Sequence, residues 1–101
     1  MIEQFTHEAL TNNLQTKCRT LAGPDKYLEL ELIEVSALTI FPHQEQFTII
    51  LRGPRDAGLG QGTRLFVHEN FGESEVFIVP IRSDEQYIYY EAVFNRLRTV
   101  S

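Results

Sequence analysis

The sequence predicts a mainly all-β domain of about six antiparallel strands. They form a meander that closes into a small barrel or sandwich, with one short N-terminal helix. Three observations carry this expectation. Apolar residues recur with period two through most of the chain. Turn-forming clusters (GPD, the Gly-rich stretch, NFG and SDEQ) separate those runs at short intervals. Beyond the first residues no segment has the helical period that parallel βαβ crossovers would require.

The helix is read from FTHEALTNNL. Thr6 can accept a hydrogen bond as N-cap, and Glu8 in the first turn suits the helix dipole. Phe5 before the cap and Leu10 within the helix have the spacing of a hydrophobic staple. Leu14 follows four residues later and extends that face. Asn12 and Asn13 mark the end, so the helix is expected over residues 7–13.

The strands follow in order. TKCRTLA (16–22) is short and ends at the GPD turn. KYLELELIEV (26–35) alternates, with Leu28, Leu30 and Leu32 on one face and Glu29 and Glu31 on the other. Ile33 and Val35 fall on the charged parity, which requires either a bulge or burial of both faces. ALTIF continues the apolar run until Pro42. QFTIILR sets Phe47, Ile49 and Leu51 on one side. GTRLFVHE resumes alternation through Leu65 and Val67. SEVFIVPI is dense in β-formers, and Pro80 cannot donate to a ladder, so it belongs at an edge or a bulge. YIYYEAVFNRL closes the series, with Tyr87 and Tyr89 on one face and Ile88, Tyr90, Ala92 and Phe94 on the other.

The 101 residues suit one domain, 1–101, and 43% apolar with 23% charged content is that of a globular chain. Fourteen acidic against nine basic residues leave a net charge of −5, with the arginines scattered. A nucleic-acid binder needs a basic stripe, so no nucleic-acid partner is expected. Cys18 is the one cysteine, so no internal disulfide can form. The N-terminus lacks the basic start and apolar run of a signal peptide, and no apolar run approaches a membrane span. The expectation is a soluble cytoplasmic chain without a membrane partner.

The stretch RGPRDAGLGQGTR (52–64) holds four of the six glycines and invites a phosphate-loop reading. Such a loop needs a helix after it and usually a Lys followed by Ser or Thr. Here a period-two run follows, and the glycine spacing is not that of a dinucleotide site. The stretch is therefore expected to be a hairpin connection with a mobile tip at 56–60. His7, His43 and His68 match no metal-ligand spacing, so no metal and no cofactor are expected. Cys18 is read as a buried structural thiol, and Glu29, Glu31, Glu73 and Glu75 as solvated outer faces. No catalytic residue is assigned. The candidate partner contacts are Arg55, Asp56 and Leu59 of the connection, Pro80 near a strand edge, and the tyrosine face of Tyr87 and Tyr89.

The strand segments also resemble a small bacterial domain family of unknown function. FTHEAL resembles the opening LTHEDF-like helix, and LELELIEV an L-x-L-x-E-V strand. FTIILRGP, QGTRLFVHE, FIVPI and YYEAVFN match the later motifs in the same order. Arg64 departs from the pattern, where a Tyr is usual. The resemblance implies an accessory or structural role beside phage-tail-like, tail-fibre or collar proteins, including incorporation in a tail-like particle, and carries no active site. The expected function is a non-enzymatic protein-binding or structural module, with a protein partner or self-association. The alternative is a small-ligand-binding β-barrel, although six strands leave an interior that side chains usually fill.

Overall fold

The computed structural model describes residues 6–23, 26–70 and 72–97. In chain order it contains α1 (His7–Thr11), β1 (Lys17–Gly23), β2 (Lys26–Val35), β3 (Thr39–Ile40) and β4 (Gln44–Pro54). A 3₁₀ turn (Arg55–Ala57), β5 (Gly62–His68), β6 (Gly72–Ser83) and β7 (Tyr87–Leu97) follow. Every pairing among these strands is antiparallel. The order β2-β1-β5-β6-β7-β4 closes on itself because β2 also pairs with β4, giving the six-stranded barrel expected from the sequence. Among the described residues the two-residue β3 pairs only with the start of β4.

The winding leaves the simple meander at one connection. β4 lies between β2 and β7, whereas β5 lies between β1 and β6, on the opposite side of the ring. The Gly-rich stretch joins β4 to β5, so it crosses a barrel end and is not the expected hairpin connection. Since β1, β4 and β6 run one way and β2, β5 and β7 the other, this crossing closes the far end, where β1 finishes. α1 covers the near end, where β1 starts.

The helix begins as its cap predicts: Thr6 Oγ1 accepts the Ala9 amide at 3.0 Å. It stops earlier than expected, at Thr11. Asn13 Nδ2 donates back to the Ala9 carbonyl at 2.6 Å. Gln15, at φ 69, then turns the chain through the left-handed region. Leu10 is fully buried, but Leu14 lies past the helix end and is 41% exposed, so the two do not share a face. Phe5 and the staple lie outside the described residues.

The core is built from the inward parity of each strand: Leu28, Leu30 and Leu32 from β2, Phe47, Ile49 and Leu51 from β4, Val76 and Ile78 from β6, and Tyr90 and Ala92 from β7. The β2–β4 register shifts between Leu32 and Glu34. That bulge turns Val35 onto the core. Phe47 stacks on Phe94 at 4.9 Å, so that aromatic pair belongs to packing.

β5 reverses its expected parity. Phe66 and His68 are buried, while Leu65 is 48% exposed. Both parities of GTRLFVH carry apolar residues, and the larger Phe66 buries more area, which decides the face. Arg64 shares the parity of Phe66 and is half-buried, with its Nε shielded from solvent and without a hydrogen-bond partner among the described residues. An unpaired buried donor is costly, so Arg64→Leu is expected to stabilise the fold by about 1 kcal/mol, or a rise of roughly 4–8 °C in Tm. A lower Tm in that variant would show that the guanidinium has a stabilising partner.

Candidate interaction surface

Alternation places Lys17, Glu31, Arg52 and Tyr89 on outward parities, and the registers align them in a row. Lys17 pairs with Glu31, Glu31 with Arg52, Arg52 with Tyr89, and Tyr89 with Arg82 on β6. Arg52 places Nε and Nη2 each 2.8 Å from Glu31 Oε1. Its guanidinium also lies 4.3 Å above the Tyr87 ring, and that of Arg82 lies 4.4 Å above the Tyr89 ring. The two tyrosine rings meet edge to face at 6.3 Å. Such cation–π contacts contribute about 0.5–1 kcal/mol each at exposed sites, but they fix planar groups in one orientation.

Asp84 ties this row to the turn beyond it. Its Oδ2 accepts the Tyr89 hydroxyl at 2.7 Å, and its Oδ1 accepts the Gln86 and Tyr87 amides at 2.9 and 2.8 Å. The Tyr89 hydroxyl, followed by those amides, holds the Asp84 carboxyl below its usual range. The same bond to Asp84 raises the Tyr89 phenol, and the bond to Glu31 raises Arg52.

The crossing connection is anchored at its start, middle and core contact. The Arg55 amide donates to the Gln86 carbonyl at 3.1 Å, and Arg55 Nη1 to the Asp84 carbonyl at 3.2 Å. The Leu59 amide donates to the Tyr90 hydroxyl at 2.8 Å. Leu59 itself is 8% exposed and belongs to the core, so its side chain is withdrawn from the partner surface expected for it. A mobile tip over 56–60 is therefore not what the fold provides.

The other sequence candidates gather at the far end. Arg55 and Asp56 are exposed on the 3₁₀ turn. Pro80 is exposed where β6 runs past its last β5 pair, Gly62↔Ile78, and where the β6–β7 register shifts. It is thus both beside a local edge and at a bulge. Arg55, Pro80, Arg82, Ser83 and Ile88 line one shallow cleft. Tyr87 and Tyr89 are half-buried under the arginines. Sequence reasoning missed Arg52, Arg82, Glu31 and Asp84 as members. Asp84 had a readable signal, since an Asp opening a turn often caps the following amides. The arginines depended on the ring order.

The chemistry-bearing residues at the near end are committed to packing. His68 is 2% exposed, with Nε2 2.7 Å from Thr16 Oγ1 and Nδ1 accepting the Asn70 amide at 3.0 Å. Because Nδ1 accepts, the proton sits on Nε2 and is donated to Thr16, whose hydroxyl donates to the Asn13 carbonyl at 2.5 Å. Cys18 is buried, and burial pushes its thiol up to about 12. A thiol held protonated is a poor nucleophile, and both nitrogens of the buried histidine are engaged. Among the described residues no three His, Cys, Asp or Glu side chains are grouped to hold a metal ion.

Burial lowers the His68 pKa, partly offset by Glu69. Between the folded value and the unfolded value of about 6.5, the unfolded chain binds more protons. Stability contributed by His68 is therefore present above about pH 6.5 and lost as pH falls through that window. Denaturant midpoints at pH 7.5 and 5.5 are expected to differ more in the native chain than in His68→Gln. Equal pH dependence in both would remove His68 as the cause.

The fold and surface define a small closed β-barrel, sealed at both ends and carrying a tyrosine–arginine rim. The chain belongs to a family of domains of unknown function (DUF6916), whose model matches residues 5–94. No curated protein and no solved structure matches it.

Proposed function

We propose that the chain is a non-enzymatic protein-binding module that contributes to a larger assembly through its tyrosine–arginine rim. The observation that carries this reading is the ordered row of Arg52, Tyr87, Tyr89 and Arg82 on the outer wall. Tyr and Arg are the residue types that dominate binding energy at interfaces. Here they are held in place before binding, which lowers the entropy cost of association. Pro80 and Arg55 extend the rim onto the shallow cleft beside it. The accessory role beside tail-like or fibre-like proteins rests on the family resemblance.

The small-ligand reading receives less support. Leu30, Leu51, Phe47, Phe66, Ile78 and Tyr90 fill the barrel interior with side chains at most 2% exposed. The test is co-elution of the chain with candidate tail-fibre or collar proteins. Binding is expected, and Tyr87→Ala with Tyr89→Ala is expected to weaken it at least tenfold while the barrel stays folded by circular dichroism. A chain that captures none of them, or a double variant that binds equally well, would overturn the proposal.

A further inference from the structure

The shallow cleft at the far end lies between two lips, and both follow from the strand pairing. β6 runs on past its last β5 pair, Gly62↔Ile78, so among the described residues 79–83 pair with β7 alone. The crossing connection forms the other lip. The Arg55 amide ties its start to the Gln86 carbonyl, and a Cβ built on Gly58 would come within 2.8 Å of Ile88 Cδ1. The cleft between them holds about 340 Å³ and is lined by Arg55, Pro80, Arg82, Ser83 and Ile88.

An open strand edge ordinarily invites an added strand. Here Pro80 has no amide to offer, and the register shift between Pro80 and Arg82 breaks the run of backbone groups. Recognition in this cleft therefore falls to side chains. Among the described residues that line it, two are arginines and none is acidic. Neither Arg55 nor Arg82 has a carboxylate partner among the described residues, whereas Arg52 is matched with Glu31 and Lys17 lies 4.0 Å from Glu29. One residue, Asp84, holds both arginines in place. Its carbonyl accepts Arg55 Nη1 at 3.2 Å. Its carboxylate fixes the Tyr89 hydroxyl, and the Tyr89 ring carries Arg82 at 4.4 Å. An arginine has five donors, so these contacts leave most of each fork unspent.

We propose that this cleft receives an acidic side chain, Asp or Glu, from an extended segment of a protein partner. The inference rests on the binding-module reading and names the chemistry of its partner. A guanidinium fork matches a carboxylate with two parallel hydrogen bonds, which gives direction as well as attraction. The Ser83 hydroxyl adds a further donor. Pro80 and Ile88 offer an apolar wall to the methylene stem of the incoming side chain. Because Asp84 already orders both arginines, they lose little freedom on binding.

Charge and size select a single carboxylate. Asp56 and Glu85, next to Arg55 and Asp84 in sequence, are exposed and lie outside the lining. Asp84 has both carboxylate oxygens committed, to the Tyr89 hydroxyl and to the Gln86 and Tyr87 amides. Three acids beside two arginines leave no broad positive field, so the attraction is confined to direct contact with the forks. A monoanion gains that contact. A phosphate group meets the same flanking carboxylates with nearly twice the charge. The volume lies near the lower end for small-molecule sites, about 300–1,000 Å³, and suits one side chain.

Titration of the intact chain with a short capped peptide of alternating valine and glutamate, followed by nuclear magnetic resonance, tests the proposal. Saturable shifts are expected at the Ser83 amide and at the side-chain N–H groups of Arg55 and Arg82, with a Kd on the order of a millimolar for one such contact. The same peptide with glutamine for glutamate is expected to bind at least tenfold more weakly. Arg55→Gln and Arg82→Gln, each folded by circular dichroism, are expected to weaken the glutamate peptide by a similar factor. Arg82→Lys keeps the charge and loses the fork, so it should lose binding as well. Full binding by that variant overturns the bidentate contact. Arg19 lines a different cleft, and Arg19→Gln should bind as the native chain does. An equal loss there would reduce the effect to net charge and overturn the site. So would an absent response to the glutamate peptide, or an equal one to the glutamine peptide or to inorganic phosphate. Tail-fibre or collar proteins that still co-elute through Tyr87 and Tyr89 would then leave the rim reading standing.

Discussion

Tyr90→Ala is expected to lower stability by about 3–5 kcal/mol, the cost of deleting a fully buried aromatic side chain. For a domain of this size that corresponds to a fall in Tm of roughly 20 °C. Tyr90 is 0% exposed and sits on β7 between Leu51 of β4 and Pro80 of β6. Its hydroxyl accepts the Leu59 amide, so one side chain both fills the core and holds the crossing connection. Tyr90→Phe separates the two roles. It keeps the ring and leaves the Leu59 N–H without its acceptor, at a cost of about 1–3 kcal/mol. Urea denaturation of both variants measures the difference. A Tyr90→Phe chain as stable as the native one would show that the amide finds another acceptor, and the hydroxyl would lose its assigned role.

The second large effect is expected at Gly53. It is buried on β4, and a Cβ built there would overlap Leu30 Cδ2. Gly53 has no positive φ, so the backbone itself would accept another residue. Gly→Ala at such a position reduces unfolded-state entropy and gains about 0.4–1 kcal/mol. Overpacking a filled core costs about 1–3 kcal/mol, sometimes more. Leu30 is 0% exposed and has nowhere open to move, so the steric term should win. Gly53→Ala is expected to destabilise by about 1–2 kcal/mol on that balance, and Gly53→Val by more. Leu30→Val in the Gly53→Ala background should recover part of the loss, giving a non-additive cycle. A Gly53→Val chain with unchanged stability would mean that the β2–β4 wall yields more easily than its packing indicates.

These two positions also mark where sequence reading succeeds and where it stops. Leu28, Leu30 and Leu32 alternate with glutamates, so one parity alone could face the core, and it does. The same holds for Phe47, Ile49 and Leu51, and for Tyr90 and Ala92. Thr6 caps the helix because its oxygen needs only the local backbone. β5 could not be read this way, since both of its parities are apolar. His68 is buried through bonds to Thr16 and Asn70, and the link to Thr16 joins residues 52 apart in sequence. Leu59 looked like part of a flexible tip because its neighbours are glycines. A single large apolar residue in such a stretch was the available sign of a plug.

Ring order was the main quantity beyond local reasoning. It decides that β4 meets β7 and not β5, and hence that Arg52 lies beside Tyr89 and over Tyr87. Tyr87 and Tyr89 were legible as an outward aromatic pair. Their arginine partners were not, because Arg52 and Arg82 come from different strands on either side of β7.

The β1–β5 seam, paired at Arg19↔Val67 and Thr20↔Phe66, also bears on the order in which the molecule assembles. Thr20 donates its hydroxyl to the Leu65 carbonyl at 2.8 Å, a contact between residues 45 apart in sequence. The β1–β2, β5–β6 and β6–β7 hairpins join near neighbours and need only short loops to close. During synthesis β1 emerges long before β5, and it can rest on β2 while it waits. Closing the ring is then the late event, after most of the chain is paired. Weakening the seam, as by Thr20→Val, should speed unfolding and leave the refolding rate nearly unchanged. In stopped-flow experiments, a matching loss in the refolding rate would instead place ring closure at the start of folding.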